Sequence, residues 1–307
     1  MAAALLSALL LLGACGGVAR NAPVTDGGAG TGQQAGSADA YRQALALAAE
    51  PVSEALAGMA NAKALKALTQ WLVQAEQAAG RAAEQLDQVT PPQDVRAEHA
   101  DLAQAFRQLN GDLGVLQDAV QGHELCASAA VMARLGKADG VAAVRDASRA
   151  LAARGGAQAY RIDLPVPAAP REQSRRLPNG QFVRQGSRTG KGELTIDNSS
   201  ERDTVLTLAV GKRPAFSVYV RKGSKSKVTG VRDGTYQIYY TAGVDWDPTT
   251  RAFTRDCAFE RFDDAFKFTT TRTATQVAWT RWTVDLEPLR GGNAKASEVD
   301  PKDFPVS

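Results

Sequence analysis

The chain has 307 residues, 44% of them hydrophobic and 22% charged, a balance that gives length for two ordinary domains and excludes a wholly disordered protein. Its formal net charge of +3 is small for this length, so the total gives no sign of a nucleic-acid partner. Three cysteines are too few for a scaffold built on disulfides.

The first element is a continuously apolar run from Ala2 to Leu12. A helix needs roughly 20 residues to span a bilayer, and this shorter run suits the hydrophobic region of a signal peptide. Leu12, Gly13, Ala14 and Cys15 follow it: an aliphatic residue and two small ones before a cysteine. They resemble the lipobox of bacterial lipoproteins. The resemblance implies removal of residues 1–14, lipidation of Cys15 on sulfur, and anchoring by acyl chains such as palmitate at the extracellular face of the cell membrane. Each buried methylene contributes roughly 0.8 kcal/mol to such an anchor. Residues 15–37 then read as a flexible tether, because a glycine-rich stretch with almost no large apolar groups cannot offset the entropy of ordering.

Residues 38–156 read as an antiparallel helical bundle. Apolar positions recur in steps of three and four at Tyr41, Leu45, Ala48, Val52, Leu56 and Met59, and again from Leu65 to Leu86. Pro51 is expected to kink the first helix. A third helix follows the same step from Val95 through His99, Leu102, Phe106, Leu109, Leu113 and Leu116 to Val120. Its start carries Thr90, Pro91, Pro92 and Gln93, close to a capping box. A last helix, with Val141, Val144 and Leu151, is expected to stop at Gly155 and Gly156. Residues 157–190 break the pattern with prolines and with Arg161, Arg171, Arg175, Arg176, Arg184 and Arg188. The expectation is a solvated basic linker held extended by proline and charge repulsion.

Residues 191–289 change to a period of two. Leu194 and Ile196, Leu206 and Leu208, Phe216 and Val218, Ile238 and Tyr240, Phe266 and Phe268, and Val284 and Leu286 mark short strands between turn-rich stretches. The expectation is a C-terminal Ig-like antiparallel β-sandwich, so the fold class is multidomain α + β. Residues 290–307 lose the alternation and are expected to form a loosely packed tail. The lipobox, the helical segment VTPPQDVRAEHADLAQAF and the strand segment VTGVRDGTYQIYYTAGVDWD together resemble secreted lipoproteins of high-GC Gram-positive bacteria. That resemblance implies an extracellular location and brings no catalytic residues with it.

Little chemistry is written in the chain. It has two histidines, His99 and His123, and no P-loop, G-x-S-x-G elbow, H-E-x-x-H or paired C-x-x-C. No catalytic, cofactor-binding or metal-ligating set is therefore assigned. His99 falls on an apolar stripe, where a core histidine bonded across the helices is expected. With Cys15 assigned to lipid, Cys126 and Cys257 remain: outside the membrane they can form a disulfide, or each can be buried as a small hydrophobe. The stretch 243–264 reads as a long connection in which Asp245, Trp246, Asp247 and Glu260 are a candidate ligand surface. A sugar can stack on such a tryptophan and bond to acids, calcium can use their oxygens, or the tryptophan can simply cover the end of the fold. Lysines and arginines in the hairpin 220–228 are expected to guard an exposed edge. The chain thus reads as an anchored, non-enzymatic binding or scaffolding unit for wall glycan or an envelope protein. The alternative is an envelope enzyme acting on glycan through acids near Trp246.

Overall fold

The computed structural model describes residues 37–154, 160–162, 164, 171–286 and 295–305. Cys15, the tether up to residue 36 and the expected stop at Gly155 and Gly156 lie outside these residues. Helices and strands alike belong to one compact unit, Ala35–Ser307, and the fold is mixed α+β. Five α-helices come first among the described residues: α1 (Ala38–Asn61), α2 (Leu65–Gln88), α3 (Arg96–Gln121), α4 (Ser128–Leu135) and α5 (Asp139–Arg154). None is long and apolar enough to cross a membrane.

The three-four stripes become the helical core. Tyr41, Leu45, Val52, Leu56 and Met59 of α1, Leu68, Leu72 and Leu86 of α2, and Leu102, Phe106 and Leu113 of α3 share one buried cluster. Ser37 caps α1 by accepting Ala40 N at 3.2 Å, and Pro51 sits inside that helix. The capping box expected at Thr90 does not form. A single 3-10 turn, Gln93–Val95, leads into α3 instead, and no side chain caps its first turn. Small residues allow close approach: a Cβ on Gly140 would stand 2.5 Å from Leu109 N, so glycine there lets α5 begin against the backbone of α3.

His99 is a core residue. Its Nε2 lies 3.0 Å from Leu86 O, a carbonyl that can only accept, so Nε2 carries the proton and Nδ1 accepts from the Tyr41 hydroxyl at 3.0 Å. Burial pushes the ring's pKa below its usual 6.5 although the bond to Leu86 opposes it. A histidine depressed in the folded state stabilises the fold above its unfolded pKa, and that stability is lost as pH falls. The His99 ring is therefore expected to titrate below 6.5 by NMR, with unfolding free energy declining as pH drops below about 6.5. A midpoint above 6.5 would rule this assignment out.

The strands follow: β1 (Phe182–Arg184), β2 (Gly192–Asn198), β3 (Asp203–Val210), β4 (Arg213–Val220), β5 (Ser224–Val231), β6 (Gly234–Asp247), β7 (Ala252–Phe262), β8 (Phe266–Phe268), β9 (Thr270–Arg272), β10 (Val277–Trp279), β11 (Arg281–Asp285) and β12 (Ala296–Glu298). The larger sheet runs β1-β4-β3-β6-β7-β12, with β8 also on β6; a smaller one runs β11-β2-β5, and β9 pairs with β10. Pairing is antiparallel except between β11 and β2, where Val284 faces Ile196. Leu194, Ile196, Val228 and Val284 of the smaller sheet join Leu206, Leu208, Val218 and Ile238 of the larger one in a single apolar cluster.

Three expectations are corrected. The linker 157–190 is not a free spacer at its C-terminal end, because β1 pairs with β4, Gly180 N donates to Tyr219 O at 2.8 Å and Tyr219 N donates to Gln181 O at 2.8 Å. Residues 290–307 are not loose throughout: β12 pairs with β7, and the Phe304 ring lies 5.7 Å from Tyr239 and 5.5 Å from Phe259. Residues 243–264 are not a long connection, since β6 and β7 form an extended hairpin with a short turn after Asp247.

The helical half meets the sheets through residues 123–126. Cys257 N donates to His123 O at 2.9 Å, Asp256 N to Glu124 O at 3.1 Å and Cys126 N to Thr254 O at 2.8 Å, while Cys126 and Cys257 form a disulfide. On β7 this seam coincides with an irregularity: the register with β6 shifts between Ala242 and Val244, and Asp256 has φ 51°. The resulting bulge bends the strand toward the segment it binds.

Candidate functional site

Charged side chains gather where residues 171–181 cross the larger sheet. Two adjacent arginines of this strap reach three acids, one at the start of β3 and two at the end of β6. Arg175 presents a fork to Asp245, with Nε 2.8 Å from Oδ1 and Nη2 2.8 Å from Oδ2, and its backbone N also donates to Oδ1 at 2.8 Å. Its Nη1 reaches Asp247 Oδ1 at 3.3 Å, and Thr254 Oγ1 donates to Asp245 Oδ2 at 2.8 Å. Trp246 N donates back to Arg175 O at 2.9 Å, which locks the strap to β6.

Arg176 repeats the arrangement one strand away. Its Nε lies 2.6 Å from Asp203 Oδ2 and its Nη2 2.5 Å from Oδ1. The Tyr219 hydroxyl also donates to Asp203, and Lys222 N adds a bond of 2.9 Å. Planar guanidinium groups suit this two-point recognition of a carboxylate.

These contacts set the electrostatics. Burial alone would raise the Asp245 carboxyl, but the hydrogen bonds from Arg175 and Thr254 prevail and bring it down to about 2. Asp203 is likewise held below the ordinary carboxylate range: burial works against it, and Arg176, Tyr219 and the Lys222 amide outweigh that. Burial and then the Asp203 bond push the Tyr219 hydroxyl up. Each acid is thus ionised and filled with donors, so neither is a free base. A cavity of about 170 Å³ beside the strap is lined by Arg176, Arg202, Asp203, Lys222 and Asp245 among others.

The ligand surface expected at Asp245, Trp246, Asp247 and Glu260 does not form as such. Trp246 is 2% exposed, with its ring 5.9 Å from Tyr219 and 5.0 Å from Phe253, both edge-on, so no face is open to a sugar. Asp247 binds Arg175 and accepts Thr249 N at 2.9 Å in the turn. Glu260 accepts the Tyr240 hydroxyl at 2.5 Å. It lies six residues along β7 from Thr254, the residue bonded to Asp245, a span of about 20 Å along a strand. Paired glycosidase carboxylates stand at most about 9.5 Å apart. Among the described residues no group of three or more His, Cys, Asp or Glu can hold a metal ion.

Comparison with protein-family models, curated proteins and solved structures finds no match. The site therefore rests on geometry alone. Arg175 and Arg176 are the residues that the sequence reading missed as site members. The available signal was an acid set directly against apolar strand residues in each of two places, Asp203 before TVLTLAV and Asp245 between Val244 and Trp246. A carboxylate in such a setting needs a cation, and the only arginine pair just upstream of the strands is 175–176.

Proposed function

We propose that the chain is a membrane-anchored extracellular lipoprotein, held through Cys15, that acts as a non-enzymatic binding or scaffolding unit toward cell-wall glycan or an envelope protein. In this reading the helical half is an antiparallel bundle and the strand half an Ig-like antiparallel sandwich; the apolar cluster shared by two sheets supports the latter. The observation that carries the reading is the Cys126–Cys257 disulfide, which closes a sequence separation of 131 and ties the helices to the sheets. Such a bond suits an oxidising compartment outside the cytoplasm. The filled carboxylates at the strap favour binding over hydrolysis.

Labelling with palmitate in cells that express the chain is expected to mark the native protein and to leave Cys15→Ser unlabelled and lost from the membrane fraction. Crosslinking on intact cells then identifies the bound partner. Cutting of purified wall material that is abolished by Glu260→Gln would overturn the non-enzymatic reading and select the glycan-acting enzyme instead.

A further inference from the structure

Cations on the outer face of the smaller sheet mostly meet carboxylates. Lys225 stands 2.6 Å from Asp197, and Lys227 and Arg281 stand 2.7 Å and 3.4 Å from Glu193. A different arrangement occurs at one end of that sheet, where Lys191, Arg232 and Arg272 line an open pocket of about 440 Å³. The one carboxylate lining it among the described residues, Asp233, accepts Thr270 N at 2.9 Å and Thr270 Oγ1 at 2.7 Å. None of the three cations forms an ion pair among the described residues.

Three separate segments build this gathering of charge. Gly190 N donates to Gly230 O at 2.9 Å, and a Cβ at position 190 would stand 2.1 Å from Val231 O and 2.5 Å from Arg232 Cα. Glycine is what allows the chain carrying Lys191 to lie against the backbone of Arg232. From the other side, the Asp233 clamp holds Thr270 in place. The two-residue period of β9 then puts Arg272 on the same face as Thr270.

Holding three like charges together disfavours the free protein, and a bound oxyanion reverses the sign of that interaction. We propose that this pocket is a binding site for a phosphate ester carried on a hydrophilic molecule. Two guanidinium groups and an ammonium match a tetrahedral oxyanion with several acceptor oxygens, and the Thr189 hydroxyl adds a donor. Among the described residues no aromatic or aliphatic side chain lines the pocket, so they offer nothing to a nucleobase or an acyl chain. This inference goes beyond the envelope reading, since the pocket's chemistry is independent of the compartment.

The test is calorimetric titration of the full-length chain with inorganic phosphate and with glycerol 3-phosphate, alongside sedimentation with phosphatidylglycerol and phosphatidylcholine vesicles. Saturable, mutually competitive binding of the two soluble phosphates is expected. It should weaken at least tenfold in the double variant Arg232→Gln/Arg272→Gln, weaken in Lys191→Gln, and stay unchanged in Lys302→Gln. The absence of saturable binding, or equal binding by the double variant at a native melting temperature, overturns the site. Equal affinity for acetate overturns the phosphate assignment. Preference for phosphatidylglycerol over phosphatidylcholine vesicles that the double variant loses overturns the hydrophilic carrier and assigns the phosphate to a lipid headgroup.

Discussion

Replacing both Cys126 and Cys257 by alanine is expected to lower the stability of the fold by up to about 5 kcal/mol, the loop-entropy value for a closed separation of 131 residues. The effect acts mainly on the unfolded chain, which regains the freedom that the crosslink removes. The native seam keeps its backbone bonds, from Cys126 N to Thr254 O and from Cys257 N to His123 O, so the folded geometry has support without sulfur. Urea unfolding of the oxidised and alanine forms measures the difference directly. A fall in melting temperature of roughly 10 °C is expected for a chain of this size. Two free thiols in the native protein under denaturing, non-reducing conditions, or a stability change below about 1 kcal/mol, would contradict this expectation.

Local periodicity explains why so much of the architecture is legible in the residues. The steps of three and four from Tyr41 to Met59 and from Leu102 to Leu116 mark faces that are buried throughout, because each long helix packs one stripe on its neighbours. The alternation Leu206, Leu208 and Phe216, Val218 marks the cluster between the sheets in the same way. Where burial comes from both sides, period-two reading fails. In β6, Val244 is half-buried beside the strap cavity while Asp245 and Trp246 are both buried, so GVDWD resembles a polar loop although it is strand. The ninth and tenth strands, of three residues each, and α4, of eight, are too short to show a period.

Long-range pairing is the second limit. Arg175 and Asp245 are 70 residues apart, and Arg176 and Asp203 are 27 apart, so no local pattern joins them. The same limit hid β12, whose residues Ala296–Glu298 gain their extended form from the edge of β7 and not from their own propensity. Composition made 157–190 look like a solvated basic linker, and two of its arginines instead meet the acids that the sheet would otherwise bury alone. The acid set against apolar strand residues is the readable half of each pair, and its partner is fixed only by the fold.

Arg175→Ala is expected to destabilise the protein by about 3 kcal/mol near neutral pH, because it leaves the Asp245 carboxylate buried without its counter-ion. The Asp245 side chain is 4% exposed and that of Arg175 37%, which places the magnitude at the lower end for a broken buried pair. The pH dependence has a definite sign. Asp245 is held at about 2 in the fold against 3.8 ordinarily, so its contribution is complete above about pH 4 and is lost as pH falls toward 2. That contribution is at most about 2 kcal/mol, since solvent screens the partly exposed guanidinium. In Arg175→Ala the guanidinium no longer offsets burial, so the carboxyl lies higher than in the native protein although the residue-175 amide and Thr254 still donate to it, and protonation relieves the unpaired charge. The gap between native protein and variant should therefore narrow as pH drops from 4 to 2, while Asp203 titrates equally in both and cancels. Denaturant midpoints across that range measure the gap. If it stays constant down to pH 2, Arg175 holds the strap by packing, and the charge on Asp245 contributes nothing to the fold.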